Sequence, residues 1–127
     1  MKILLDTHVF LWAISDDTRL SASYRELFVD SANDLFLSVA SVWEVSIKAG
    51  LGKLLLPGLA APYLAKHMDR NRVQMLGIQL AHLTELEQLP PLHRDPFDRM
   101  IAAQARSEAM AVMSADRKLA MYGVRVL

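Results

Sequence analysis

The chain has no cysteine, which removes disulfides, zinc–thiolate sites and thiol nucleophiles together. It also lacks any apolar run near the ~18 residues that a membrane-spanning helix needs. The opening MKILLDTH starts like a signal peptide, but Asp6 and His8 interrupt it before an apolar segment of that kind can form. Neither sign of charge is in excess, with 14 Lys/Arg against 14 Asp/Glu. General nucleic-acid coating, usually the work of a basic surface, is therefore disfavoured. A phosphodiester held by metal ions and a few local cations is not. Internal repeats, low-complexity tracts and linkers are also missing. These absences lead us to expect a soluble, cytoplasmic protein without a membrane segment.

What remains is an apolar-rich chain: 53% of its 127 residues are hydrophobic, enough for one core. A single domain over residues 1–127 is expected. Short apolar runs at Lys2–Leu5, Leu35–Ser38, Val73–Leu76 and Ala111–Met113 read as strands, and Val124–Leu127 as a fifth. Between them lie helix-like segments at Thr7–Ile14, Ser21–Ala32, Ala40–Ala49, Ala60–Arg70, Ala81–Leu89, Pro96 to about Ala109, and Asp116–Met121. Gly50, Gly52, Pro57-Gly58 and Pro90-Pro91 are the breaks. Strands alternating with helices imply a parallel sheet covered on both faces, an α/β/α sandwich.

In such a sheet, ligands bind beyond the carboxyl ends of the strands. Asp6 follows the first strand directly, Asp116 lies three residues beyond the fourth, and Glu44 sits in the segment after the second. Asp98 falls in the first turn of the helix opened by Pro96, whose starting edge topology alone does not determine. Four converging carboxylates would repel one another unless cations neutralised them, and hard oxygen donors suit Mg²⁺ or Mn²⁺. Each acid taken singly also has a structural explanation. Asp6 is placed to cap the following helix, and Ser41-Val42-Trp43-Glu44 fits a capping box, with Lys48 one turn on as a salt-bridge partner for Glu44. Asp95-Pro96-Phe97-Asp98 fits a cap followed by an acid in the first turn, and Ser114 with Asp116 fits another helix start. The combination, not any one acid, points to chemistry.

Leu4-Leu5-Asp6-Thr7-His8, Ser41-Val42-Trp43-Glu44, the run from His93 through Asp98 to Ala102, and Ser114-Ala115-Asp116 occur in this order and spacing along the whole chain. Together they resemble the PIN-domain toxins of the VapC type, the ribonuclease halves of VapBC toxin–antitoxin pairs. The resemblance implies a PIN-like three-layer sandwich with a five-stranded parallel sheet, and places the start of the Pro96 helix at the acidic edge. It implies that Asp6, Glu44, Asp98 and Asp116 form an acidic quartet holding Mg²⁺, with Mn²⁺ as a substitute. Asp6 and Asp98 would be central ligands, Asp116 would act directly or through water, and Glu44 would complete the site or orient the attacking water. Ser114 matches the small hydroxyl residue beside that site. The implied activity is metal-dependent endoribonuclease, and the implied partners are a VapB-type antitoxin, an RNA substrate and a second copy in a homodimer.

Arg94, Arg99, Arg117 and Lys118 adjoin the acids and are candidates for gripping RNA phosphates, with local salt bridges as the alternative. Asp95 is either an extra site acid or the cap of its helix, with the cap preferred. His8 and His93 are candidates for general acid or base, with packing in the first helical turn as the alternative for His8 and a solvated loop position for His93. Trp12 and Trp43 are candidates for base stacking or a partner interface, while Phe10 is read as core. Leu51, Leu54, Leu55, Leu56, Leu59, Tyr63 and Leu64 form a dense apolar stretch, either an interface or ordinary burial under the adjoining helix. A phospho-receiver domain needs an acceptor Asp after the third strand, where Gly77 and Ile78 stand. A haloacid-dehalogenase-type phosphatase wants D-x-D after the first strand, where residue 8 is His. A catalytically silent binding domain and a DNA nuclease remain as alternatives on the same fold.

Overall fold

A computed structural model describes all residues, Met1–Leu127. Four parallel strands form one sheet in the order β3-β2-β1-β4: β1 is Lys2–Leu5, β2 Asp34–Ser38, β3 Val73–Leu76 and β4 Ala111–Met113. The helices are α1 (Thr7–Ile14), α2 (Ala22–Val29), α3 (Val39–Gly50), α4 (Ala60–Arg70), α5 (Leu80–Gln88) and α6 (Pro96–Glu108), followed by a 3-10 helix at Arg117–Tyr122.

Side chains alternate across the sheet, as the two-residue period of a strand dictates. Ile3 and Leu5 face a core shared with Val9, Phe10, Val45 and Leu64, under α1, α2, α3 and α4. Leu4 faces the opposite core, with Ile101, Ala102, Val112 and Leu119, under α5, α6 and the 3-10 helix. Three alanines, Ala102, Ala103 and Ala105, lie on the buried part of α6 and let it approach closely. The two cores make the three-layer sandwich.

One strand is missing from the expected five. Val124–Leu127 meets β4 only through a single parallel bridge, Val112↔Val126. The reason is the length of β4. In a strand, successive residues turn their backbone groups to opposite sides, so a three-residue strand offers one outward residue. Val112 is that residue: its N–H donates to Arg125 O (2.8 Å) and its carbonyl accepts from Leu127 N (2.9 Å). Met113 turns the other way and accepts from Asp6 N at 3.0 Å.

The strand order sets the site. From β1 the chain moves to β2 on one side and later returns to β4 on the other, so the reversal falls between β1 and β4. Connections leaving adjacent strands in opposite directions open a crevice at their carboxyl ends. Asp6 and Ser114 stand there, each the residue after its strand.

Candidate active site

Asp6 enters the site as the last residue before α1. It occupies the N-cap position of that helix, but its side chain makes no capping bond, which leaves the carboxylate available. Ser114 Oγ donates to Asp6 Oδ2 at 2.6 Å and accepts from Asp116 N at 3.0 Å. One hydroxyl thus orients one acid and fixes the backbone of another. Ser114 is held in turn by α2: its N–H donates to the Tyr24 phenol oxygen at 3.2 Å.

Glu44 is buried, and helix α3 delivers it for a reason other than the expected capping box. The helix begins earlier, with Ser38 as N-cap accepting from Ala40 N at 3.0 Å. Ser41 and Glu44 are therefore both interior to the helix and face Thr7 across the cleft floor. Thr7 Oγ1 donates to Glu44 Oε1 at 2.7 Å and lies 2.9 Å from Ser41 Oγ. Lys48 Nζ sits 2.6 Å from Glu44 Oε2, the expected one-turn pair, and this contact raises the Lys48 pKa.

Helix α6 brings Asp98. Asp95 caps it, its Oδ1 accepting from Phe97 N (2.8 Å) and Asp98 N (3.3 Å), with Pro96 preorganised at the start. Asp116 caps the 3-10 helix, accepting from Lys118 N at 2.9 Å. Between these two acids stands His93, whose Nε2 lies 2.9 Å from Asp116 Oδ2 and 3.3 Å from Asp98 Oδ2. Of the two readings the sequence left open for His93, the solvated loop position is the one the structure does not bear out. The loop after Pro90-Pro91 turns it inward, and its Nδ1 accepts from Asp95 N at 3.2 Å.

Asp6, Glu44, Asp95, Asp98 and Asp116 line one cleft of about 460 Å³, together with His8, Trp12, Arg19, Lys48 and Ala115. At its edge, ligand atoms of His93, which does not itself line the cleft, Asp98 and Asp116 lie within 4.8 Å of one another. Asp6 and Glu44 share the cleft but stand outside that tight group. A larger cavity of about 610 Å³ opens beside Asp34, Arg72 and Val73, at the amino ends of β2 and β3. No group of ligating side chains converges there, so the chemistry belongs to the carboxyl edge.

The electrostatics fit a cation. Burial, then the neighbouring Asp6 and Asp95 carboxylates, push Asp98 up to about 7. Burial likewise raises Asp6, against the hydrogen bond from Ser114. Asp116 is lowered, first by its hydrogen bond with His93. Carboxylates that resist joint ionisation are a donor set for a divalent ion, which supplies the positive charge they lack.

Of the candidate cations, Arg94, Arg99, Arg117 and Lys118 do not line the cleft. Arg99 donates to Pro90 O at 3.0 Å, and Arg117 donates to Leu127 O at 3.1 Å. The cations on the cleft wall are Arg19 and Lys48. Sequence pattern alone assigns no role to Thr7 or Arg19. An Asp-Thr pair after an apolar strand was the available signal for Thr7, whereas Arg19 gave none.

Ser114→Ala is expected to leave Asp6 Oδ2 without its donor. A hydrogen bond to a charged group is worth about 1.5–3 kcal/mol, so the Asp6 carboxyl should rise further. Any cleavage activity should fall tenfold or more at neutral pH and partly return in alkali. A pH–rate profile unchanged from wild type would contradict this role.

Comparison with known proteins agrees with the fold. The PIN domain family model matches residues 3–124. Ribonuclease VapC16 of Mycobacterium tuberculosis (strain ATCC 25618 / H37Rv) is 38% identical over 58 residues, which is 46% of this chain and 41% of that relative. The match thus spans under half the length of either protein. Among solved structures, VapBC2 from Rickettsia felis, bound to a DNA fragment from its promoter, aligns with a TM-score of 0.69 at 18% identity, covering 100% of this chain and 97% of that one. FitAcB from Neisseria gonorrhoeae aligns with a TM-score of 0.66 at 21% identity, covering 98% and 96%. With the family model spanning both strands that flank the acidic crevice and the helices that supply Glu44 and Asp98, the chain belongs to the PIN domain family.

Proposed function

We propose that this protein is a Mg²⁺-dependent endoribonuclease, acting as one domain over residues 1–127 and as the toxin of a type II toxin–antitoxin pair. The observation that carries the reading is the meeting of Asp6, Glu44, Asp98 and Asp116, from four separate segments, on the wall of one cleft. The partial match to a ribonuclease supports the activity and the choice of RNA. Asp6, Asp98 and Asp116 would hold the cation, with Glu44 completing the set. When bound, the cation supplies Lewis-acid polarisation of the phosphodiester. Ser114 keeps Asp6 oriented, Thr7 and Lys48 keep Glu44 in place, and Asp95 anchors the first turn that presents Asp98.

A VapB-type antitoxin is the proposed neutralising partner, consistent with the solved VapBC2 pair. In the apolar stretch after α3, Leu64 is core and Leu54, Leu56 and Tyr63 pack against it, but Leu51, Leu55 and Leu59 are exposed. Such a patch is characteristic of an interface. Val39, Trp43 and Ile47 are also exposed and recur every fourth residue along one face of α3, in line with Leu51 just past its end, which suits the proposed homodimer. The proposed location is the cytoplasm; no helix is long and apolar enough to cross a membrane.

The test is incubation of the purified protein with structured RNA, and with DNA of the same sequence, with and without Mg²⁺ or Mn²⁺. Cleavage of RNA, abolished by EDTA and by Asp6→Asn, is the expected result. Cleavage that survives both treatments would show that the carboxylate–metal site is not responsible. Toxicity relieved by co-expressing the small open reading frame beside the gene is the corresponding test of the antitoxin.

A further inference from the structure

The wall of the acidic cleft opposite α6 is built by α1 and the turn after it. That turn is unusually well tied for a surface segment. Asp17 N donates to Trp12 O at 2.9 Å, closing α1 over a left-handed Asp16 (φ 52°), a conformation that Asp adopts more readily than most residues. Arg25 reaches back from α2 to Asp16 Oδ1 and to the Asp17 carbonyl. Arg19 N donates to Asp17 Oδ1 at 2.9 Å and Leu20 N to the Asp17 carbonyl at 3.1 Å. The result is a rigid platform for Arg19. Its Nε lies 3.1 Å from Asp17 Oδ1 and its Nη2 2.7 Å from Asp17 Oδ2, a fork-to-fork pair.

That pair leaves both Nη1 hydrogens of Arg19 without a partner in the chain, and its side chain is 68% exposed. The guanidinium carbon stands 5.2 Å from the centroid of the Trp12 ring, and the Trp12 ring is 6.2 Å from His8. His8, Trp12 and Arg19 all line the cleft that holds the acids. As a stabilising contact an exposed ion pair contributes little. As a binding device the arrangement makes sense: a planar cation, held in one orientation beside a negative cleft, with donors left over.

We propose that Arg19, oriented by Asp17 and Trp12, binds a backbone phosphate of the RNA strand next to the phosphate being cleaved, and that Trp12 supports the adjoining nucleotide. The inference rests on the ribonuclease reading and adds a substrate-positioning residue to it. The acids repel an incoming strand, and a bound cation offsets this only at the scissile phosphate. A neighbouring phosphate needs its own cation, and Arg19 is a fixed one with free donors at the rim. Lys48 is a poorer candidate because its amine is already engaged by Glu44 at 2.6 Å. An aromatic ring beside the cation on the cleft wall favours an unpaired nucleotide, since sequence-tolerant stacking requires an open base face.

The test is steady-state cleavage of a short single-stranded RNA in Mg²⁺ by wild type, Arg19→Gln, Arg19→Lys, Asp17→Asn and Trp12→Ala, at several salt concentrations. Arg19→Gln should raise KM about tenfold with kcat changed less than twofold, and should flatten the salt dependence of KM by about one phosphate contact. Arg19→Lys should restore the salt dependence but not the full affinity, because it lacks the fork. Asp17→Asn and Trp12→Ala should raise KM severalfold, and circular dichroism should show each variant folded. A folded Arg19→Gln enzyme with wild-type KM and salt dependence overturns the phosphate site while leaving the ribonuclease reading intact. A wild-type protein that cleaves no RNA overturns both.

Discussion

Asp98→Asn is expected to lose at least a hundredfold in cleavage rate while making the metal-free protein more stable. The two effects share one cause. Asp98 sits among Asp6, Asp95 and Glu44, and its pKa is raised from 3.8 to about 7, first by burial and then by those charges. The folded state therefore holds this proton more tightly than the unfolded chain does. For a group shifted in that direction, its stabilising contribution is complete below the unfolded value and is lost as pH rises through the folded one. The contribution of Asp98 to the stability of the metal-free protein should thus be complete near pH 4 and lost near pH 7, with the decline between those values. The carboxyl is partly open to water, which screens the effect, and about 2 kcal/mol is a reasonable size for it. Asparagine cannot ionise, so the variant should keep the higher stability throughout. Melting temperatures from pH 4 to 8 in EDTA would show this. Superimposable curves for wild type and variant would rule it out. Adding Mg²⁺ should flatten the wild-type curve, because the cation replaces the proton as the neutralising partner.

Phe10→Ala should remove about 3–5 kcal/mol of stability, a large share of the roughly 5–15 kcal/mol that a domain of this kind possesses. Phe10 is almost wholly buried in the core beneath α1, and its N–H donates to the Asp6 carbonyl at 3.0 Å. The ring therefore seats the helix on the core, while the backbone N–H, which alanine keeps, closes the first turn after Asp6. We expect the melting temperature to fall by about 10–20 °C. Phe10→Leu, which keeps most of the volume, should cost less than about 1.5 kcal/mol. Mg²⁺ should raise the melting temperature of the alanine variant if it binds the folded state. A variant that melts within 3 °C of wild type would mean that α1 is seated by something other than this ring.

How much of this was readable beforehand depended on distance along the chain. Asp6 and Asp116 could be placed because each follows an apolar run that can only be a buried strand. The Glu44–Lys48 pair was readable because it spans one helical turn. The link from Glu44 to Thr7 was not, since 37 residues separate them and only the packing of α3 against α1 joins them. Ser41 was mistaken for part of a cap because both Ser38 and Ser41 suit that role, and the choice depends on where β2 ends. The inward turn of His93 is not legible because it lies in a loop after two prolines, whose path no periodicity describes. Arg19 is illegible for a similar reason: its aim depends on a left-handed Asp16, a backbone choice that side-chain pattern does not announce. The fifth strand failed on hydrogen-bond parity, which apolar content cannot reveal.

The single bridge at Val112 makes the residues after Gly123 structural members of the acidic edge. Arg125 and Leu127 satisfy both outward backbone groups of Val112, while the Leu127 main-chain oxygen meets the same Tyr24 phenol that accepts from Ser114 N–H. Trimming four residues would therefore strip β4 of its outer neighbour and loosen the tyrosine that steadies the serine between Asp6 and Asp116.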